Sequence, residues 1–95
     1  MTDEVKVRDN RELQRFELPV GGEIVFADYR RQPGRLVITH VETPPALRGG
    51  GLASQLMQGV AEEARAEQIK VLPLCSYARA WMSRHPEYRD LAIWI

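Results

Sequence analysis

Three consecutive glycines, Gly49-Gly50-Gly51, separate a β-branched run from an amphipathic helical run, and this junction commits the chain to a strand–loop–helix unit with a sharp backbone bend. Glycine reaches conformations closed to residues with a Cβ. The N–H groups of residues 49–53 can therefore converge on an anion at the positive end of the helix that follows. Upstream, Leu36-Val37-Ile38-Thr39-His40-Val41 reads as a strand by its β-branched content. Downstream, Leu52, Leu56, Val60 and Ala64 recur at helical spacing. A phosphate group is the guest such a junction suits. The dinucleotide fingerprint fits poorly, because no Gly-x-Gly-x-x-Gly with a later acidic residue occurs, and no Gly-Lys-Ser/Thr follows the glycines as a triphosphate site requires.

A chain of 95 residues has room for one core, so residues 1–95 are expected to form a single domain whose site uses its one sheet. Thirteen basic and thirteen acidic residues cancel to a formal charge of zero. With no global field, neither nucleic acid nor an anionic membrane is expected as a partner, and any charge that binds a ligand must be local. One cysteine cannot make an internal disulfide, and Met1-Thr2-Asp3-Glu4 lacks the basic and apolar regions of a secretory signal, so a reducing cytoplasm is the expected location. No apolar run approaches the roughly 20 residues needed to span a bilayer.

The order of elements follows from local pattern. Residues 5–7 alternate as a short strand, with Asp9-Asn10 as a turn pair. Phe16, Leu18 and Val20 share a strand face, Gly21-Gly22 makes a two-residue hairpin, and residues 24–29 resume a strand. Pro33-Gly34 turns the chain into a fourth strand over residues 36–42. Strict alternation places Leu36, Ile38, His40 and Glu42 on one face of it and Val37, Thr39 and Val41 on the other. Apolar residues on both faces predict a central position, and Thr43-Pro44-Pro45 ends the strand. A helix over residues 51–68 follows. Its Gly59 costs about 1 kcal/mol against alanine, a sacrifice that close packing would explain. Residues 69–75 form a fifth strand, parallel to the fourth because a helical crossover joins them. Pro73 within it suits an edge, a bulge or a place where strands separate. Ser76 is a candidate cap for a last helix over residues 77–84, which Pro86 ends. The apolar residues 91–95 are expected to pack on the sheet or on a second subunit.

Arg48, Gly51 and Ala53 satisfy the pattern Arg/Gln-x-x-Gly-x-Gly/Ala. With Thr39-His40-Val41-Glu42, residues 71–75 and His85-Pro86-Glu87-Tyr88, this stretch resembles a branch of very small proteins of the GNAT superfamily, the acyl-CoA-dependent N-acetyltransferases. The resemblance covers most of residues 36–90 and is specific for the acyl-CoA site. It implies an α/β fold with a mostly antiparallel five-stranded sheet, fourth and fifth strands splayed around the acyl chain, one long helix after the glycine loop and a shorter C-terminal one. It also implies a cofactor site at Val41, Arg48, Gly49, Gly50, Gly51, Leu52 and Ala53, acetyl-CoA (coenzyme A) as cosubstrate and no metal. The activity implied is acetyl transfer to a small amine or a protein amino group by a monomer or weak homodimer. The rival is a non-catalytic acyl-CoA-binding module that acts through a protein partner, favoured by the small size and the missing N-terminal helices.

Cys75 ends a strand and precedes a helix whose dipole favours a thiolate, so it is a candidate nucleophile, or else a small buried hydrophobe that lines the thioester pocket. His40 and Glu42 lie near the end of the fourth strand, where a base must take a proton from an attacking amine. Either could act directly or through water, or be a hydrogen-bonded or solvated strand residue. Tyr77, next to Cys75, and Tyr88 are candidates to protonate the departing thiolate. Arg48 can face phosphate as a bidentate donor. His40, His85 and Cys75 lack the spacing of a zinc motif, no Gly-x-Ser-x-Gly occurs, and Glu62 and Glu63 read as solvent charges on the polar helix face.

Overall fold

The computed structural model describes residues 6–94. Five strands form one sheet in sequence order: β1 (Arg8–Asn10), β2 (Arg15–Val20), β3 (Glu23–Gln32), β4 (Arg35–Glu42) and β5 (Lys70–Pro73). The first four run antiparallel and β5 lies parallel to β4, as the crossover through α1 (Leu52–Glu67) requires. A second helix, α2 (Ser76–Arg84), and a 3₁₀ segment, Pro86–Leu91, complete the chain. The Gly21-Gly22 hairpin has positive φ at both residues, the twist-matched turn that a Gly-Gly pair supplies.

Several boundaries differ from the sequence expectation. Residues 6 and 7 lie outside any strand, and Asp9 and Asn10 belong to β1 instead of a turn, which falls at residues 11–14. Val5, the start of the expected first strand, lies outside the described residues, as does Ile95. The fifth strand stops at Pro73, two residues early. Ser76 does not cap α2: Cys75 stands at the N-cap position with no side-chain cap bond. Residues beyond Leu91 do meet the sheet, since Ala92 bridges Val71 and the Ile93 N–H donates to the Val71 carbonyl at 2.8 Å.

The buried stripe of α1, Leu56, Met57, Val60, Ala61 and Ala64, packs on Phe16, Leu18, Val25, Ala27, Tyr29, Leu36, Ile38 and Val71. Each fully buried leucine or isoleucine stabilises by about 1.5–3 kcal/mol. Ala78, Trp81, Met82, Tyr88 and Leu91 join the same cluster, so α2 and the 3₁₀ segment cover the sheet from the α1 side. Gly59 is needed where Val7 crosses the helix, because a Cβ there would stand 2.5 Å from the Val7 Cβ and Cγ2.

A β-bulge overturns the simple alternation in β4. The ladder pairs Tyr29 with Ile38 and Asp28 with His40, so Thr39 is an extra residue. Before it, Leu36 and Ile38 face α1; after it, Val41, opposite Ala27, packs toward the core. His40 and Glu42, opposite Asp28 and Phe26, are thereby rotated to the far face of the sheet.

That far face holds a buried charge, Glu17, 1% exposed. Burial pushes its carboxyl up, but hydrogen bonds from Arg15, Asn10 and Arg8 outweigh that and leave it below the ordinary carboxylate value. On the core side, the Arg31 guanidinium joins Glu67 of α1 at 2.8 Å to Asp9 of β1 at 2.8 Å. Glu63, expected to be a solvent charge, belongs to this cluster: its hydrogen bond with Glu67 and its burial raise its carboxyl above the ordinary value.

Candidate functional site

The glycine loop needs glycine at two of its three positions. Gly49 (φ +87°) and Gly51 (φ +76°) are left-handed, whereas Gly50 is not, and a Cβ on Gly50 would meet only the Leu47 carbonyl at an ordinary 3.7 Å. Gly51 is the N-cap of α1, and neither a side-chain cap nor an acidic residue occupies the first turn. The first helical bond runs from the Gln55 N–H to the Gly51 carbonyl. The amides of residues 51–54 therefore have no partner within the helix, and the positive end of the helix dipole is uncompensated.

Beside this loop, β4 and β5 part. Their ladder runs only from Arg35 with Lys70 to Ile38 with Pro73. Beyond it the Ile38 carbonyl accepts both the Leu74 N–H at 3.0 Å and the Cys75 N–H at 3.2 Å. Residues 39–42 continue β4 with a neighbour on the β3 side only. Pro73 stands at the last rung, so its missing N–H falls where the pairing ends.

Along the loop runs a groove of about 210 Å³ lined by Thr43, just past the end of β4, and by Leu47, Arg48, Gly49, Gly51, Leu52 and Ala53, with Tyr77 from the first turn of α2 on its wall. Burial raises the Tyr77 hydroxyl above its ordinary value, against the nearby positive charge of Arg84, so it stays a proton-bearing phenol at neutral pH. Arg48 folds back over the end of β4, with its Nε donating to the Thr43 carbonyl at 3.0 Å and its guanidinium 3.3 Å from Glu42. The other Glu42 oxygen lies 3.0 Å from His40 Nε2. Three of the residues singled out in the sequence thus form one exposed chain, His40–Glu42–Arg48. Cys75, half-buried against the core, sits at the point where the strands separate.

Tyr88 is not in this group. It is buried, its hydroxyl donates to Glu62 on α1 at 2.9 Å, and its ring stacks on Trp81. His85 stacks on the same indole at 3.9 Å and places Nδ1 2.8 Å from the Trp81 carbonyl. The His-Pro-Glu-Tyr stretch is thus a packing cluster, joined to α1 also by the Trp81 indole N–H, which donates to the Ser54 hydroxyl at 2.8 Å. A larger concavity, about 340 Å³ by Glu62, Arg65, Ala66 and Tyr88, offers little free chemistry: Arg65 is engaged by Asp90 and the Glu87 carbonyl, and Tyr88 by Glu62. Among the described residues no group of His, Cys, Asp and Glu could hold a metal ion, and no helix is long and apolar enough to cross a membrane.

This architecture is that of the GCN5-related N-acetyltransferases, and a model of that family matches residues 15–91, so the chain belongs to it. The solution structure of a Staphylococcus aureus protein assigned as a GCN5-like N-acetyltransferase has the same fold, with a TM-score of 0.69 over 99% of this chain and 93% of that one at 18% identity. No curated protein matches the chain.

Proposed function

We propose that the protein is an acetyl-CoA-dependent N-acetyltransferase that works as a single minimal domain. The observation that carries this reading is the groove at the start of α1: the uncapped helix end, Thr43 just past the end of β4, and Tyr77 all border it. The amides of residues 49–53 take the coenzyme A pyrophosphate, which the helix dipole favours. Arg48 is placed to leave Glu42 for a phosphate oxygen. The acyl arm enters between β4 and β5, where the unpaired backbone of residues 39–42, Val41 included, can hydrogen-bond its amides as a strand would.

The reaction is a displacement at the thioester carbon. The acceptor ammonium first loses a proton, and His40 or Glu42, directly or through water, is the base we assign. The nitrogen lone pair then forms the N–C bond, the C–S bond breaks with its electrons on sulfur, and the thiolate takes a proton from the Tyr77 phenol. The nitrogen sheds its second proton as the amide forms, and Tyr77 is reprotonated from solvent, so one proton is released per turnover. Cys75 lines the cleft in this scheme; attack by its thiolate to give an acetyl-enzyme is the alternative.

The engagement of both Glu42 oxygens, by His40 and Arg48, favours a second reading in one respect, since a base already paired twice must give up a contact to work. A non-catalytic acyl-CoA-binding module would need only Arg48 to move and would leave the His40–Glu42 pair in place. Calorimetry with acetyl-CoA, with thiol release followed across an amine panel, separates the two. Binding with acceptor-dependent thiol release is expected. Binding with no release from any amine, peptide or protein lysine supports the module, and absence of binding rejects both.

A further inference from the structure

We propose that the far face of the sheet carries, beside the parted strands, a subsite for an acceptor that presents an ammonium and a carboxylate together, as an α-amino acid does, held by Asp28 and Arg30. The inference rests on the acetyltransferase reading above and adds the substrate class to it.

Both helices pack on the opposite side, so no helix of the described residues covers the face bearing Arg15, Phe26, Asp28, Arg30 and His40. On it lies a groove of about 400 Å³ lined by Leu13, Gln14, Asp28, Tyr29, Arg30 and Thr39, within the size range of small-molecule clefts. Asp28 is the one acid among the described residues that is part-buried and whose carboxylate has neither a hydrogen bond nor an ion pair. Its cross-strand neighbour Arg15 could neutralise it, yet Arg15 turns away to Glu17 at 2.6 Å and lies over the Phe26 ring at 4.7 Å. Arg30, two residues along the same strand face, is exposed and makes no ion pair either. A half-buried carboxylate without a partner is costly. The cost is recovered when a cation arrives.

The position fits an attacking nitrogen. Asp28 is the ladder partner of His40, and Thr39 in the groove wall follows Ile38, whose carbonyl closes the β4–β5 ladder at the mouth of the cleft. An ammonium on Asp28 therefore lies beside a candidate base and near the acetyl group. Arg30, one strand repeat of about 7 Å further on, receives the carboxylate in a bidentate pair. A plain amine satisfies only Asp28, and a plain acid only Arg30.

The test titrates the full chain, without coenzyme, with L-alanine, ethylamine, propionate, L-lysine and cadaverine, and follows the amide resonances of Asp28, Arg30 and Thr39. L-Alanine or L-lysine is expected to shift them at millimolar concentration, with the decarboxylated and deaminated analogues about tenfold weaker or worse; Asp28→Asn and Arg30→Gln should each weaken the amino acid about tenfold. Both changes are at the surface of a strand, and circular dichroism checks the fold. The proposal is overturned if neither amino acid shifts the groove, if the amines bind as well, or if both folded variants bind like the parent. Calorimetry with acetyl-CoA on the same samples keeps the two readings apart: amino-acid binding without coenzyme binding leaves the subsite and removes the acyltransferase, and the converse removes the subsite alone.

Discussion

Position 51 allows backbone strain and ligand obstruction to be measured separately. At φ +76° an alanine pays about 1–2 kcal/mol for the left-handed region, and since a Cβ there meets nothing within 4 Å, strain is the whole stability cost. At Gly50, where φ is not positive, alanine makes only an ordinary contact, so its effect on stability should stay within about 0.5 kcal/mol. Asparagine tolerates the left-handed region, so Gly51→Asn should unfold in urea near the parent midpoint while still placing a side chain at the groove wall. If the amides around residue 51 cradle the pyrophosphate, displacing one charge-assisted hydrogen bond costs about 1.5–3 kcal/mol, roughly 10- to 100-fold in the dissociation constant. Gly51→Val combines strain and obstruction and should be the weakest binder. Urea unfolding and calorimetry with coenzyme A on Gly50→Ala, Gly51→Ala, Gly51→Asn and Gly51→Val supply both quantities. The cradle is misplaced if folded Gly51→Asn and Gly51→Val bind coenzyme A like the parent. The backbone argument fails if Gly50→Ala loses as much stability as Gly51→Ala.

For Cys75, direct attack predicts that Cys75→Ala keeps most of the turnover and that incubation with acetyl-CoA alone adds no mass to the enzyme; an acetyl-enzyme in intact-mass spectra, together with an inactive alanine variant, would establish the covalent route instead. His40→Asn and Glu42→Gln remove basicity at nearly constant size, so at least one should lower the rate and flatten the acidic limb of its pH profile with acetyl-CoA affinity nearly intact; parent rates for both, with chemistry rate-limiting, would exclude either as the base. The Arg31 hub should make the fold acid-sensitive. Hydrogen bonds from Arg31 and then Glu63 hold Glu67 at about 2 against an ordinary 4.5. A depressed carboxylate gives stability that is complete above the ordinary value and lost as pH falls through the folded one, so the loss belongs between about pH 4.5 and 2 and is on the order of 3 kcal/mol. Glu63, raised by the same contact, works in the opposite direction and blunts the loss. Arg31→Met should flatten stability across that window in urea titrations, and an unchanged acid limb would refute the assignment.

How much of this was legible in the sequence depends on whether the cause is local. The loop, the two hairpins and the crossover are set by glycine, proline and hydrophobic period within a few residues, and the structure has them where the pattern puts them. The face of His40 and Glu42 was not legible, because an extra residue in a strand leaves no mark in its own composition and is settled only by what β3 pairs with. The same holds for Glu17, whose burial depends on Arg8 and Asn10 meeting it across the ladder, and for Glu63, which reads as a solvent charge until Glu67, held by Arg31 of β3, is seen to bond it. The bulge is also the step by which fold becomes site. With regular alternation His40 and Glu42 would point toward α1, where two ionisable groups would enter an apolar core. The single residue Thr39 sends Val41 there in their place and turns both polar side chains onto the face away from the two helices, beside Asp28 and next to the gap between β4 and β5. Deleting Thr39 should therefore do more than shorten a strand. It would return His40 and Glu42 to the core side, so the chain would have to unfold locally or rebuild the bulge elsewhere, and the candidate base would be lost together with the open edge of β4.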